Sequence, residues 1–97
     1  MTALSGARPS RGVRYTFTLT EDEGDRALYD VAVETQELRG SARVRIEGTS
    51  CRVEGEARDV DAAHLTQLLA LAKTIAKRDE AGAWPRRVDR WRSPGVR

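Results

Sequence analysis

The stretch 61–78 reads DAAHLTQLLALAKTIAKR and is the one long segment of the chain with a helical period. Leu65, Leu68, Leu69, Ala72, Ile75 and Ala76 recur at three- and four-residue spacing, which sets them on one stripe of a helix. Leu71 lies off the centre of that stripe and widens it. Asp59 and Asp61 both suit the N-cap, since a short carboxylate accepts from the free N–H groups of a first turn. Lys73, Lys77 and Arg78 suit the negative C-terminal end. Gly82 and Pro85 then end the element. The pattern predicts a helix over 61–80.

Upstream the period changes to two. In 13–20, Val13, Tyr15, Phe17 and Leu19 alternate with Arg14, Thr16, Thr18 and Thr20, the mark of a half-buried strand. An acidic turn holding Gly24 leads to a second strand over 26–35, with Tyr29, Val31 and Val33 facing the helix. That facing sends Leu28 outward, a misfit that a bulge or cover from the tail would relieve. Ala42, Val44 and Ile46 face inward on a third strand, and Cys51 and Val53 on a fourth that runs to about 57. Two registers join these last strands. One matches Glu47 with Arg52, Arg45 with Glu54 and Arg43 with Glu56. The other puts Gly48-Thr49 at the tip of a type II′ turn but sets Arg45 opposite Arg52. The charge-matched register is preferred.

The expected fold is therefore α+β. It is a four-stranded antiparallel meander (ββββα) with one helix on one face and a short helical or irregular C-terminal extension. Ninety-seven residues make one domain, over 13–92 including a docked tail. Residues 1–12 form an arm without periodicity, and 93–97 a loose end. No apolar run approaches the roughly 20 residues of a membrane span, and no signal core opens the chain. The expected compartment is cytoplasmic. One cysteine, Cys51, excludes an intramolecular disulfide and a cysteine metal cluster.

Charge is unevenly placed. Residues 1–14 carry +3, 20–37 carry −6 and 83–97 carry +4. The bias to arginine, fifteen against two lysines, fits a GC-rich genome as readily as a function.

No motif carries catalysis. His64 stands alone at the helix start, where it is a solvated capping neighbour. Cys51 lies on a strand under the helix as a small apolar residue, without the exposed electropositive setting that a reactive thiolate needs. Glu21, Asp22, Glu23 and Asp25 lack the spacing of a calcium loop and read as a solvated turn. Glu54 and Glu56 share a strand face with arginines and read as ion-pair partners. Arg86 and Asp89 match a bare RxxD pattern, too short to carry weight. The open sheet face has no aromatic platform for RNA, and a single long helix excludes a helix-turn-helix. The chain is expected to be no enzyme and to need no cofactor or metal.

Two surfaces remain. The first strand is expected at a sheet edge, and Thr16, Thr18 and Thr20 lack the lysines or proline that blunt an edge. This edge suits pairing with a second copy, as a homodimer, or with another protein. The tail, with Trp84, Val88 and Trp91 at helical spacing from Pro85, interleaves arginine with tryptophan. Arg86, Arg87, Arg90, Trp91 and Arg92, extended by Arg11 and Arg14, are the candidate contacts to nucleic acid. The tryptophans equally suit anchors that dock the tail on the core. The first reading is a small protein-interaction module working through a sheet edge, and the second a nucleic-acid-binding module.

Overall fold

The computed structural model describes residues 12–36, 38–78 and 83–92. Six elements follow in chain order: β1 (Val13–Asp22), β2 (Arg26–Glu34), β3 (Arg39–Glu47), β4 (Ser50–Val53), α1 (Ala62–Arg78) and β5 (Arg87–Arg92). Among the described residues all strands join one antiparallel sheet in the order β4-β3-β2-β1-β5, with one helix, so the fold is α+β. The four-stranded meander is present, but the sheet has five strands. The tail, expected as a helical or irregular extension, is the fifth. It lies antiparallel to β1 with Val13 opposite Arg92 and Thr18 opposite Arg87.

The period-two residues build the core. Tyr15, Phe17, Ala27, Tyr29, Val31, Val33, Ala42, Val44 and Ile46 are all buried on one face of the sheet. Against them α1 turns Leu68, Leu71, Ala72, Ile75 and Ala76, while Leu65 and Leu69 stay half-buried. Leu71 is thus central to the stripe. The helix backbone lies nearest β3 and β4. Trp84 enters the same cluster, its ring edge-on to Tyr29 at 6.5 Å, and Phe17 meets Tyr29 in the same manner at 6.2 Å.

Asp61 is the N-cap. Its carboxylate accepts from the His64 backbone N–H at 2.9 Å, and its carbonyl accepts from Leu65 N–H. Asp59 instead takes the left-handed conformation, φ 55°, that aspartate tolerates better than most residues. The segment carrying it crosses directly over Gly40, where a Cβ would collide with the carbonyl oxygens of Arg58 and Asp59 and with Val60. Only a residue without a side chain lets the chain pass from β4 to α1 by this route.

Leu28 is buried, although it belongs to the face away from the helix. The bulge that accommodates it lies on the partner strand. Between Leu19 and Glu21 the register of β1 shifts, and the hydroxyl of the extra residue, Thr20, donates to the Leu28 carbonyl at 3.0 Å.

The β3–β4 hairpin has Arg45 opposite Arg52 and Glu47 opposite Ser50, so the charge-matched register is not the one adopted. Gly48 at φ 60° and Thr49 without a positive φ make the type II′ turn. The expected ion pair survives this register. Arg45 reaches diagonally to Glu54 with Nε–Oε2 at 2.6 Å and Nη2–Oε1 at 3.1 Å. A diagonal neighbour lies within reach of a long side chain, so the turn sets the register without losing the pair.

Candidate interaction edge

Strand β1 is not an edge. Its outer side is filled by β5 from Val13 to Thr18, and Leu19 N–H donates to the Arg86 carbonyl at 2.8 Å. The expected Thr16, Thr18 and Thr20 edge is corrected on this ground at Thr16 and Thr18, and Thr20 lies past the β5 pairing, in the bulge. A row of strand hydrogen-bonding groups left without a blunting residue has found its cover within the chain. The Thr16 hydroxyl donates to Asp89 Oδ1 at 2.8 Å and so ties the two strands together by side chains as well.

Before the strand begins, the tail is anchored at Trp84 and Pro85. Trp84 is 6% exposed, its Nε1–H donates to the Gly24 carbonyl at 2.9 Å, and Tyr29 Oη donates to the Pro85 carbonyl at 2.7 Å. Trp91 behaves differently and is 56% exposed. The docking reading of the tryptophans thus holds for Trp84 alone.

Strand geometry distributes the arginines. Register places Arg87, Asp89 and Trp91 on the open face, opposite Thr18, Thr16 and Arg14. Val88 and Arg90 fall on the helix face, opposite Phe17 and Tyr15, and position 92 lies opposite Val13. Arg86 is exposed just before the strand. The five tail candidates therefore form no single stripe. Arg14 shares the open face with Trp91 and has no ion pair among the described residues, and Arg11 lies outside them.

Backbone parity defines what β5 offers. The Arg86 carbonyl points to β1, and in an antiparallel strand the two backbone groups of a residue share a side that alternates along the chain. Arg86, Val88 and Arg90 thus turn inward. Arg87, Asp89 and Trp91 turn their N–H and C=O outward. The Arg90 guanidinium donates to the Asp89 carbonyl at 2.9 Å, which fits that direction. Arg87 Nε lies 3.5 Å from Asp89 Oδ2. Among the described residues no strand pairs with this outer side.

At the opposite margin, the same parity leaves only Cys51 and Val53 of β4 facing out, because Glu54 N–H donates inward to the Arg43 carbonyl. Gly55, at φ 73°, then bends the chain, and Arg58 rejoins β3 through a bridge to Ser41.

The open face is a mosaic of ion pairs. Arg26 meets Glu23 and Glu47, Arg39 meets Glu34, and Arg43 meets Asp30. The hydrogen bond from Arg45, reinforced by its charge, holds the Glu54 carboxyl below the usual glutamate range. A depression of about 530 Å³ lies over the short side chains of Ala32 and Ser41, walled by Thr16, Asp30, Arg43 and Arg58. Its walls carry both signs and no nucleophile–base pair. His64 Nδ1 sits 3.1 Å from its capping Asp61, edge-on to Tyr15. Cys51 is half-buried, and burial raises its thiol pKa, an effect that nearby Lys73 only partly offsets. Among the described residues no three His, Cys, Asp or Glu side chains gather as metal ligands, and no helix is long and apolar enough to cross a membrane.

Comparison of the chain with protein families, curated proteins and solved structures finds no match.

Sequence reasoning noted Asp89 only in the bare RxxD pattern and missed its place in a strand. That residue binds Thr16 and Arg87 and presents outward backbone groups at mid-strand. The segment 87–92 carries little period of its own, and Trp84, Val88 and Trp91 also fit the helical spacing that the tail was read by.

Proposed function

We infer that this chain is a small non-catalytic interaction module that receives a strand of another chain along the outer side of β5. The observation that carries this reading is the set of outward backbone groups at Arg87, Asp89 and Trp91, on a six-residue strand at the sheet margin. Strand addition uses such groups for affinity and the flanking side chains for selection. Arg87 and Asp89 would select a strand with charges in the complementary order. The rigid sheet behind them, anchored by Trp84, spares the receiving edge any ordering cost on binding.

Amide exchange read residue by residue tests this. In the free chain Val88 and Arg90 are protected by β1, and Arg87, Asp89 and Trp91 exchange rapidly. On concentrating the protein, or on adding strand-forming peptides with alternating Asp and Arg, the three outward amides gain protection together. If they stay unprotected under both conditions while Val88 and Arg90 remain protected, the reading fails.

A second reading, binding of single-stranded nucleic acid, is supported by exposed Trp91 opposite Arg14, a stacking surface next to a cation that has no ion pair among the described residues. The division of the tail arginines between two faces weighs against it. Titration with a mixed oligonucleotide at low salt decides: a Trp91 indole shift that salt reverses supports it, and an unmoved indole removes it.

A further inference from the structure

The strand that β5 receives can be identified from β5 itself, and this step rests on the strand-addition reading. We propose that the occupant is β5 of a second copy of this chain, joined about a two-fold axis at Val88.

A two-fold axis perpendicular to the sheet keeps both helices on one side and makes the interface self-complementary. One residue position then faces its own copy, and its neighbours pair reciprocally. The side chains of β5 discriminate sharply among the choices, since like charges directly opposite destabilise a strand pair and opposite charges stabilise it. An axis at Arg87, Arg90 or Arg92 sets arginine against arginine. An axis at Asp89 sets aspartate against aspartate. An axis at Trp91 brings Arg90 opposite Arg92 of the other copy, twice. At Val88 the apolar residue faces itself, and Arg87 of each copy faces Asp89 of the other.

Hydrogen-bonding parity agrees with this choice. Arg87 and Asp89 both turn their backbone groups outward, as derived from the inward Arg86 carbonyl. Each reciprocal pair therefore exchanges two backbone bonds, and the Val88 pair takes the closer, non-hydrogen-bonded position. The Arg90 guanidinium, now on the Asp89 carbonyl, gives way to the incoming N–H. Two positions outward, Pro85 of one copy comes opposite Trp91 of the other. Pro85 has no N–H, so the ladder ends there. The register also gives the 56% exposed Trp91 a neighbour. Arg86 of each copy faces Arg90 of the other, the one kind of like-charge contact in this register, made twice. It falls outside the strand, where Arg86 is free to turn into solvent. The product is a continuous ten-stranded sheet running from β4 of one copy to β4 of the other.

Two short strands make a small interface, of the size found in weak and transient associations. Sedimentation of the whole chain up to millimolar concentration is therefore the measurement. Wild type shows concentration-dependent mass. Arg87→Asp and Asp89→Arg, each checked for folding by its amide spectrum, each weaken association roughly tenfold or more, because two attractions become two repulsions. Mixed in equal amounts they associate again. The hybrid pair regains both opposite-charge contacts, which neither variant has with itself. A wild type that stays monomeric, or a mixture no better than its components, overturns the proposal. Because Asp89 also binds Thr16, a second variant guards against loss of fold. Val88→Cys in a Cys51→Ala background forms a covalent dimer on oxidation, since Cα atoms about 4.5 Å apart fall within disulfide range. Arg90→Cys in that background does not. Equal crosslinking of the two overturns the register. If the chain is monomeric yet peptides protect the outward amides, self-pairing falls and strand addition stands. If the peptides also fail, both readings fall.

Discussion

The two margins of the sheet are closed by different means. Strand β4 is the second arm of a tight hairpin, continued by Glu54 and the Arg58 bridge so that β3 is covered from Ser41 to Glu47. Its attachment is local in sequence. Strand β5 returns from beyond the helix to a strand 73 residues away and depends on Trp84 as its anchor. The local margin ends in a glycine bend with two outward residues. The distant margin ends in a six-residue strand of unbroken register with three. Where closure is cheap in loop entropy the edge is short and bent. Where it is costly the edge is longer and remains fit for a further strand.

The largest expected effect breaks the distant margin. Trp84→Ala removes an aromatic packed against Tyr29 together with its hydrogen bond to Gly24, for a loss of about 3–5 kcal/mol by urea unfolding. Amide protection at Val88 and Arg90 falls before that in β2 and β3. If β5 keeps its protection in this variant, Trp84 is not its anchor.

Gly40→Ala tests the local margin. Overpacking against the Arg58 and Asp59 carbonyls is expected to cost about 1–3 kcal/mol. The disturbance reaches β4 and the start of α1 and leaves β5 protected. Spectral changes centred on β5 instead would show that the two margins are not independent.

The smallest effect is a sharper measure of the local margin. Glu54 has a lowered pKa when folded, because Arg45 favours its charged form. The unfolded chain therefore takes up this proton first. The contribution of the pair is present in full above the usual glutamate range and is lost as pH falls through the folded value below it. A carboxyl titration by NMR places Glu54 below the usual glutamate range, and Arg45→Ala raises it toward that range. An unchanged Glu54 titration in that variant would remove Arg45 as the cause.

Much of the fold was legible in the sequence. The alternation in 13–20 and 41–47 and the leucine stripe after Asp61 each reflect a strong local period, and each element formed, β3 beginning at Arg39 in what was read as a turn. The errors lie where local and distant terms compete. The β3–β4 register turned on charge pairs against turn geometry. The turn prevailed because Arg45 is long enough to reach Glu54 diagonally. The tail failed for a related reason. Six residues with one β-branched side chain carry little period, and Trp84, Val88 and Trp91 also fit helical spacing. A strand of that kind is created by its neighbour: the unblunted outer side of β1 required a cover, and 87–92 was the unused segment able to supply it. Both observations were in the sequence, and only the pairing joins them. The edge that β5 then presents is a product of that pairing, so it had no local signature.

The pairing of β5 with β1 also has a consequence in time. A chain made from its N-terminus has β1, β2, β3 and β4 in hand well before Arg87 exists, and hairpins between neighbours close in microseconds. Until the last strand arrives, the outer backbone groups of Val13 to Leu19 are bare on a nearly finished sheet. The final six strand residues thus act as the chain's own stopper, and β1 is most open to a wrong partner in the interval before they emerge.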